Sequence, residues 1–467
     1  MAGRVGSNAS MSIGTTLDLG RPASVAFRDR YVTVLLVCIA AYAFTGKGFA
    51  YAGVPPLFPA ELLLLCGLVT LVWPMPSAAF LCTAPSLILL AMIVWTLGRT
   101  IPYVGAYKID ALRDSVIVVY GLFAFVVANL ILEKPARIDA AVGRADRFFL
   151  VYGAVAFLLY IIPKQLGHLI PAWPVSGAPM MLLRGGEVAV HIAGAAVFAL
   201  VGLRRFPVWW VGLLILGIMV VSAQSRGGML AIAVPIALAT LLSGRYRPAL
   251  ATVLAATPIF AVLYLTDVEV QLPPDFRTMR AGQLLDNVTS IFASSSNSDL
   301  DGTKIWRIRW WQTITDYTLH GDYFWTGKGF GINLAMSDGF VVGDGDGPPL
   351  RSPHSAHMTI LARSGVPGLV LWIALNGTWL AMMVAHIVRA RLAGDEHWAG
   401  LLIFVTCYLV AGLVNASFDV ALEGPMMGVI FWVLFGAGIG LCMTYRTLSK
   451  DRDAAWWRQH GANAKGA

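Results

Sequence analysis

Residues 206–243 read FPVWWVGLLILGIMVVSAQSRGGMLAIAVPIALATLLS. Two uncharged apolar runs, 206–223 and 228–243, flank a short turn, AQSRGGML (223–230). Runs approaching 20 apolar residues match the roughly 30 Å of a bilayer's hydrocarbon core. The stretch therefore reads as a helical hairpin crossing a membrane twice, with Arg226 at its turn. Ten further runs share this character, near 31–47, 56–73, 79–98, 112–132, 147–163, 187–203, 248–266, 366–388, 397–418 and 424–445. The expected fold class is an all-α polytopic membrane protein of about twelve helices. Several runs are short, which leaves the count open by one or two.

Composition agrees. Of 467 residues 57% are hydrophobic and 13% charged, with a mean hydropathy of +0.70. Soluble domains carry about 25% charged residues. The net charge of +8 reflects arginines that orient spans, and nucleic acid is not among the expected partners. Cys38, Cys66, Cys82, Cys407 and Cys442 lie in apolar runs without metal-ligand or CxxC spacing, so they read as small core hydrophobes. No metal site and no cofactor are indicated.

Every second linker is basic: Lys134, Arg137, Arg144 and Arg147, then Arg204 and Arg205, Arg245 and Arg247, Arg389 and Arg391. The C-terminal tail adds Arg446, Lys450, Arg452 and Arg458. The positive-inside rule then places both termini in the cytoplasm. The expected organisation is a disordered tail (1–30), N-terminal membrane helices (31–266), an outer loop with short helices (267–365), C-terminal membrane helices (366–446) and a cytoplasmic tail (447–467). In a diderm bacterium the loop is periplasmic and the chain sits in the inner membrane.

The informative charges are those that orientation does not explain. The outer side keeps Arg99, Lys108, Arg113, Arg184 and Arg226. The loop adds Arg277, Arg280, Lys304, Arg307, Arg309, Lys328, Arg351 and Arg363. Guanidinium forks suit phosphate oxygens, although a single outer arginine can equally snorkel to lipid phosphate. At Arg226, Gly227 and Gly228 permit close approach, and Ser225 with the following helix's amides can hold an anion. In 303–319, Trp306, Trp310, Thr313, Ile314 and Tyr317 repeat at helical spacing, a packing stripe. GKGFG (327–331) lacks the strand and the Lys-Ser/Thr of a nucleotide loop. NSDLDG (297–302) begins like a calcium loop but has Ile308 where the bidentate glutamate belongs, and GDGDG (343–347) reads as an acidic turn.

SPHSAHMTILARSGVPGLVLW (352–372) closes the loop. Ser352-Pro353 opens a short interfacial helix, and Ser364–Gly368 separates it from the next span. His354 and His357 share one face. Histidine is the natural base near neutral pH.

The order of these pieces resembles the O-antigen ligase/polymerase superfamily, whose signature runs His-Asn-x-x-Leu-x-x-x-x-Glu-x-Gly-x-x-Gly. His354, Ser355, Met358, Arg363, Gly365 and Gly368 occupy those places. Ser225–Gly227, Arg307–Trp310 and Gly327-Lys328-Gly329 are similar to other recurrent pieces. Ser355 replaces asparagine, and Arg363 replaces glutamate with reversed charge. The resemblance implies a metal-independent glycosyl transfer from undecaprenyl diphosphate to a hydroxyl on lipid A core, another lipid-linked glycan or a protein. It further implies His354 as base and Arg226, Arg307 and Arg309 as diphosphate ligands. His357, Ser355 and Arg363 would take acceptor-binding or supporting roles. Ligase is the preferred reading and polymerase the alternative. A transporter or flippase of lipid-linked sugar fits less well, since transporters place charges within spans and break helices near the midplane. A non-catalytic export scaffold fits the outer arginines poorly.

Overall fold

The structure, a computed structural model, describes residues 23–54, 57–72, 78–267, 269, 280, 282–292, 298–341 and 350–461, with backbone alone for 288–292, 298–303 and 451–461. Arg277 and GDGDG (343–347) lie outside the described residues, as do the side chains of NSDLDG.

Each of the twelve apolar runs coincides with helix, and among the described residues there are isolated β-bridges but no named strand. Among the described residues, seven helices are long and apolar enough to cross a membrane, and an eighth span arises if the pair Ile109–Val119 and Leu122–Glu133, bent by 40°, counts as one. Pro59–Val72, Gly185–Leu200 and Val208–Gln224 are apolar but shorter. Ala23–Thr45 carries Arg28, Asp29 and Arg30 in its first turns, which leaves a short apolar remainder. The architecture is an all-α polytopic membrane protein.

The last two spans form the centre. Glu396–Phe418 and Pro425–Lys450 are the most enclosed of the long helices, while Tyr246–Leu265 buries none of its apolar window. In lipid, helices associate through close packing rather than a hydrophobic drive. Gly436 shows how: a Cβ there would stand 2.3 Å from the Ala124 carbonyl oxygen, so only glycine lets Pro425–Gly461 lie against Leu122–Glu133.

Ion pairs close one end of the bundle. Arg137 reaches Asp29 (2.8 Å) and Glu133 (2.7 Å), Lys134 reaches Asp29 (2.8 Å), and Arg28 also bonds Glu133. Arg204 pairs with Asp146.

The opposite end carries the loop that was expected to lie outside. Its main element is the helix Ser298–Leu319. Trp310 and Ile314 are fully buried, with Trp306 and Tyr317 packed beside them, so the aromatic stripe is a packing face. The following helix, Ala356–Leu392, breaks at Gly365 (φ 69°, ψ −171°). The Gly-Pro segment thus separates a short buried helix from the span proper. Gly327 fits against that break so tightly that a Cβ would stand 2.4 Å from the Arg363 carbonyl carbon.

Candidate functional site

Residues 352–363 lie between two carboxylate-centred clusters. The segment is firmly held. Ser355 caps the helix by accepting from the Met358 amide, and Thr359 Oγ donates to the Ser355 carbonyl at 2.9 Å. Trp311 Nε1 donates to the Pro353 carbonyl at 2.9 Å. Thr359 Oγ also stands 2.7 Å from Glu423 Oε1, so its one hydrogen is shared between that carboxyl and the Ser355 carbonyl. Burial pushes the Glu423 carboxyl up, and Arg363 with the Ser352 and Thr359 hydroxyls opposes that rise.

His354 sits in this held segment with φ 52°, the left-handed region. A non-glycine residue there costs of order 1–3 kcal/mol and persists only where its surroundings enforce it. The enforced conformation turns the imidazole away from the helix it precedes. One edge meets the Trp306 ring, with centroids 6.2 Å apart. Nδ1 stands 3.7 Å from Asp419 Oδ1. That separation is longer than a hydrogen bond, and such contacts can tighten when a substrate binds.

Asp419 gathers the first cluster from the end of Glu396–Phe418. Its Oδ1 accepts from Arg184 Nη1 at 3.2 Å and from the Val420 amide at 2.8 Å. Burial would raise its pKa, but His354, Arg184 and the Val420 amide together hold it below the usual carboxylate range. Arg307 Nη1 donates to the neighbouring Phe418 carbonyl at 2.9 Å. Gly227, one residue past Arg226, packs on Phe418 from the other side. Ser225 caps that helix, accepting from the Gly228 amide at 3.0 Å. Burial disfavours the Arg307 charge, Asp419 supports it and nearby Arg226 disfavours it further. Arg307 Nε is buried with no hydrogen-bond partner among the described residues. His354 and Asp419 are about one quarter exposed and Arg184 is 40% exposed, so the cluster is open on one side.

The second cluster is closed at its centre, where Asp114 and Arg363 are buried, and opens only at its rim, where Arg113 is 48% exposed. Asp114 Oδ2 accepts from Arg363 (3.0 Å), Arg351 (3.2 Å) and the Gly331 amide (3.1 Å), while Oδ1 takes Arg113 (3.2 Å). Arg363 also donates to the Gly329 and Ile332 carbonyls at 3.3 and 3.0 Å and is fully buried. The charge-reversed position therefore finds its counter-charge in Asp114, with Glu423 also favouring it. Lys328 bonds Asp338 (2.5 Å), so GKGFG braces the loop.

The structure thus brings His354, Arg226 and Arg307 together. It places Arg309 on the exposed face of the same helix, roughly 200° round from Arg307. His357 points inward: Trp372 Nε1 donates to its Nδ1 (2.8 Å) and its Nε2 pairs with Ser417 Oγ (2.9 Å), while burial depresses its pKa. Ser355 is a cap and Arg363 a brace. Among the described residues, no group of three His, Cys, Asp or Glu side chains could hold a metal ion.

Sequence reasoning missed Asp114, Arg184's partner Asp419, and Glu423. Asp419 did leave a signal, as the first acid after an apolar run at the end where arginines were already in excess. Residues 211–373 match the family described as O-antigen ligase, which supports membership of the chain in the O-antigen ligase/polymerase superfamily. That match includes Arg226, Arg307 and His354 and excludes all three carboxylates. No curated protein matches the chain.

Proposed function

We propose, with membership of the O-antigen ligase/polymerase superfamily as premise, that this chain transfers a glycan from undecaprenyl diphosphate to an acceptor hydroxyl at the outer face of the inner membrane. The family assignment supports ligase- or polymerase-type glycan transfer in cell-surface polysaccharide synthesis, and hence a glycosyltransferase-type enzyme with a lipid-linked glycan donor. The finer assignments are our reading of the first cluster. The observation that carries it is the partly exposed His354, held at φ 52° with its Nδ1 facing Asp419, beside Arg184 and Arg307.

The chemistry follows from these positions. Asp419 favours the tautomer with hydrogen on Nδ1 and leaves Nε2 of His354 free to accept. The acceptor hydroxyl oxygen attacks the anomeric carbon of the donor sugar while its proton passes to Nε2. The bond from that carbon to the diphosphate oxygen breaks, and the electron pair leaves with the diphosphate. Arg307, Arg226 and Arg184 stabilise the charge that develops on the leaving group, where fixed guanidinium groups in a poorly hydrated site act most strongly. Diphosphate needs no protonation to depart, so a single base suffices.

The test uses the purified full chain with a labelled undecaprenyl-diphosphate glycan and an acceptor. Wild type should release undecaprenyl diphosphate. His354→Ala should lose about 10²–10⁴ in rate while folding normally. Full activity in that variant removes the histidine from the mechanism, and movement of intact donor across vesicles would mark a flippase. In a deletion strain, uncoupled lipid-linked polymer identifies a ligase, and single repeat units a polymerase.

A further inference from the structure

The ion-paired end of the bundle contains a feature that glycan transfer does not use. A cavity of about 400 Å³ opens between Ala23–Thr45 and Ala136–Gln165 and extends inward to Phe198, Phe404 and Tyr408. Its walls are almost wholly apolar, formed by residues such as Leu35, Ile39 and Ala141. The charged side chains that line it, Arg137, Arg144 and Arg147, all belong to the first three turns of Ala136–Gln165.

These arginines differ in a telling way. Arg137 is buried and ion-paired with Asp29 and Glu133. Nearby Arg28, Lys134 and Arg204 likewise each have a carboxylate. Arg144 instead donates to the Ala140 carbonyl (3.3 Å) and, across the opening, to Thr33 Oγ (3.1 Å). Among the described residues neither Arg144 nor Arg147 pairs with an acid, and both are exposed. A hydrocarbon-lined slot with two guanidinium groups unpaired with any acid among the described residues matches a molecule with a long apolar tail and an anionic head. Its apolar lining suits hydrocarbon chains, and its volume falls in the usual range for a ligand site.

We propose that this slot binds an anionic glycerophospholipid of the adjacent leaflet, one acyl chain lying among the apolar side chains and the phosphate resting on Arg144 and Arg147. The site is at the end of the bundle away from His354 and makes no use of the glycan-transfer reading. A bound chain would join the first helix to Ala136–Gln165.

The test titrates the detergent-purified full chain with dioleoyl phosphatidylglycerol and, separately, dioleoyl phosphatidylcholine, counting bound lipid by native mass spectrometry. Juxtamembrane basic residues each favour anionic lipid by a factor that for two arginines compounds to roughly thirtyfold. Wild type should therefore prefer phosphatidylglycerol by about that factor. Arg144→Gln with Arg147→Gln should erase the preference, leaving residual binding of both lipids. Ala141→Phe, which fills the slot, should abolish retention of both lipids. Equal affinity for the two lipids in wild type, or a preference that survives in the double glutamine variant, overturns the assignment. So does undiminished retention in Ala141→Phe, provided the variant elutes as a monodisperse peak like wild type.

Discussion

Asp114 and Asp419 are both aspartates ringed by arginines at the same end of the bundle, and they flank the same twelve-residue segment. They differ in closure. Asp114 is 8% exposed, and its chief partner Arg363 is 2% exposed, with the remaining guanidinium donors on backbone carbonyls. Asp419 is 23% exposed beside a left-handed histidine that is itself one quarter exposed. A closed set of charges spends its field on holding the chain in place. An open set can direct its field at something that arrives. The same residue types thus serve as scaffold in one place and as candidate chemistry in the other, and access decides which.

Removing one partner from each cluster should break the molecule in different ways. Arg363→Met leaves Asp114 without its most buried counter-charge. Breaking a buried pair costs about 3–5 kcal/mol, so the thermal midpoint in detergent should fall steeply, while any folded fraction keeps its rate per molecule. Asp419→Asn should do the reverse. The imidazole loses the charge that sets its tautomer, and transfer should fall about 10²-fold with a small change in midpoint. A variant at Asp419 that unfolds the protein yet keeps its specific rate would erase the distinction.

Arg307→Lys sharpens the comparison from the ligand side. The ammonium keeps the charge but cannot both hold the Phe418 carbonyl and present the second N–H. We expect about a tenfold loss in rate, seen mainly as a raised KM for the donor. Arg309→Lys, on the exposed face, should change neither parameter. Equal effects at the two positions would show that both arginines contribute only general positive charge.

How much of this was legible beforehand follows from the range of each interaction. The helices were legible because apolar runs are local, and so was the break at Gly365, which glycine and proline announce within five residues. The separation of Arg307 from Arg309 was within reach, since Trp306, Trp310 and Ile314 already marked the packed face of that helix. The carboxylates were not legible. Asp114 stands 249 positions from Arg363, Asp419 235 from Arg184 and Glu423 64 from Thr359, and an acid at a span end has no periodicity to betray it. Arg363 looked like the departure that could spoil the resemblance, because its compensation lies in another helix.

The smallest expected effect concerns acid, and it separates the neighbouring carboxylates by sign. Burial raises the Glu423 pKa, so the folded state binds its proton more tightly than the unfolded chain. The contribution of that proton is fully present below the unfolded value near ~4.3 and is lost as pH rises through the higher folded value. Glu423→Gln should therefore match wild type in acid and equal or exceed it near neutrality, by no more than about 1 kcal/mol, because glutamine still accepts from Thr359. Asp419 behaves oppositely. Its folded pKa is lowered, so its stabilisation is present above the unfolded value near ~3.9 and disappears as pH falls through the folded one. Asp419→Asn should lie slightly below wild type at neutral pH, with the gap closing in acid. Thermal midpoints of the two variants, followed from pH 7 downward in one detergent, should thus approach wild type from opposite sides. If both approach from below, the Glu423 carboxylate is held charged by Arg363, and the closed cluster extends one residue further than its geometry suggests.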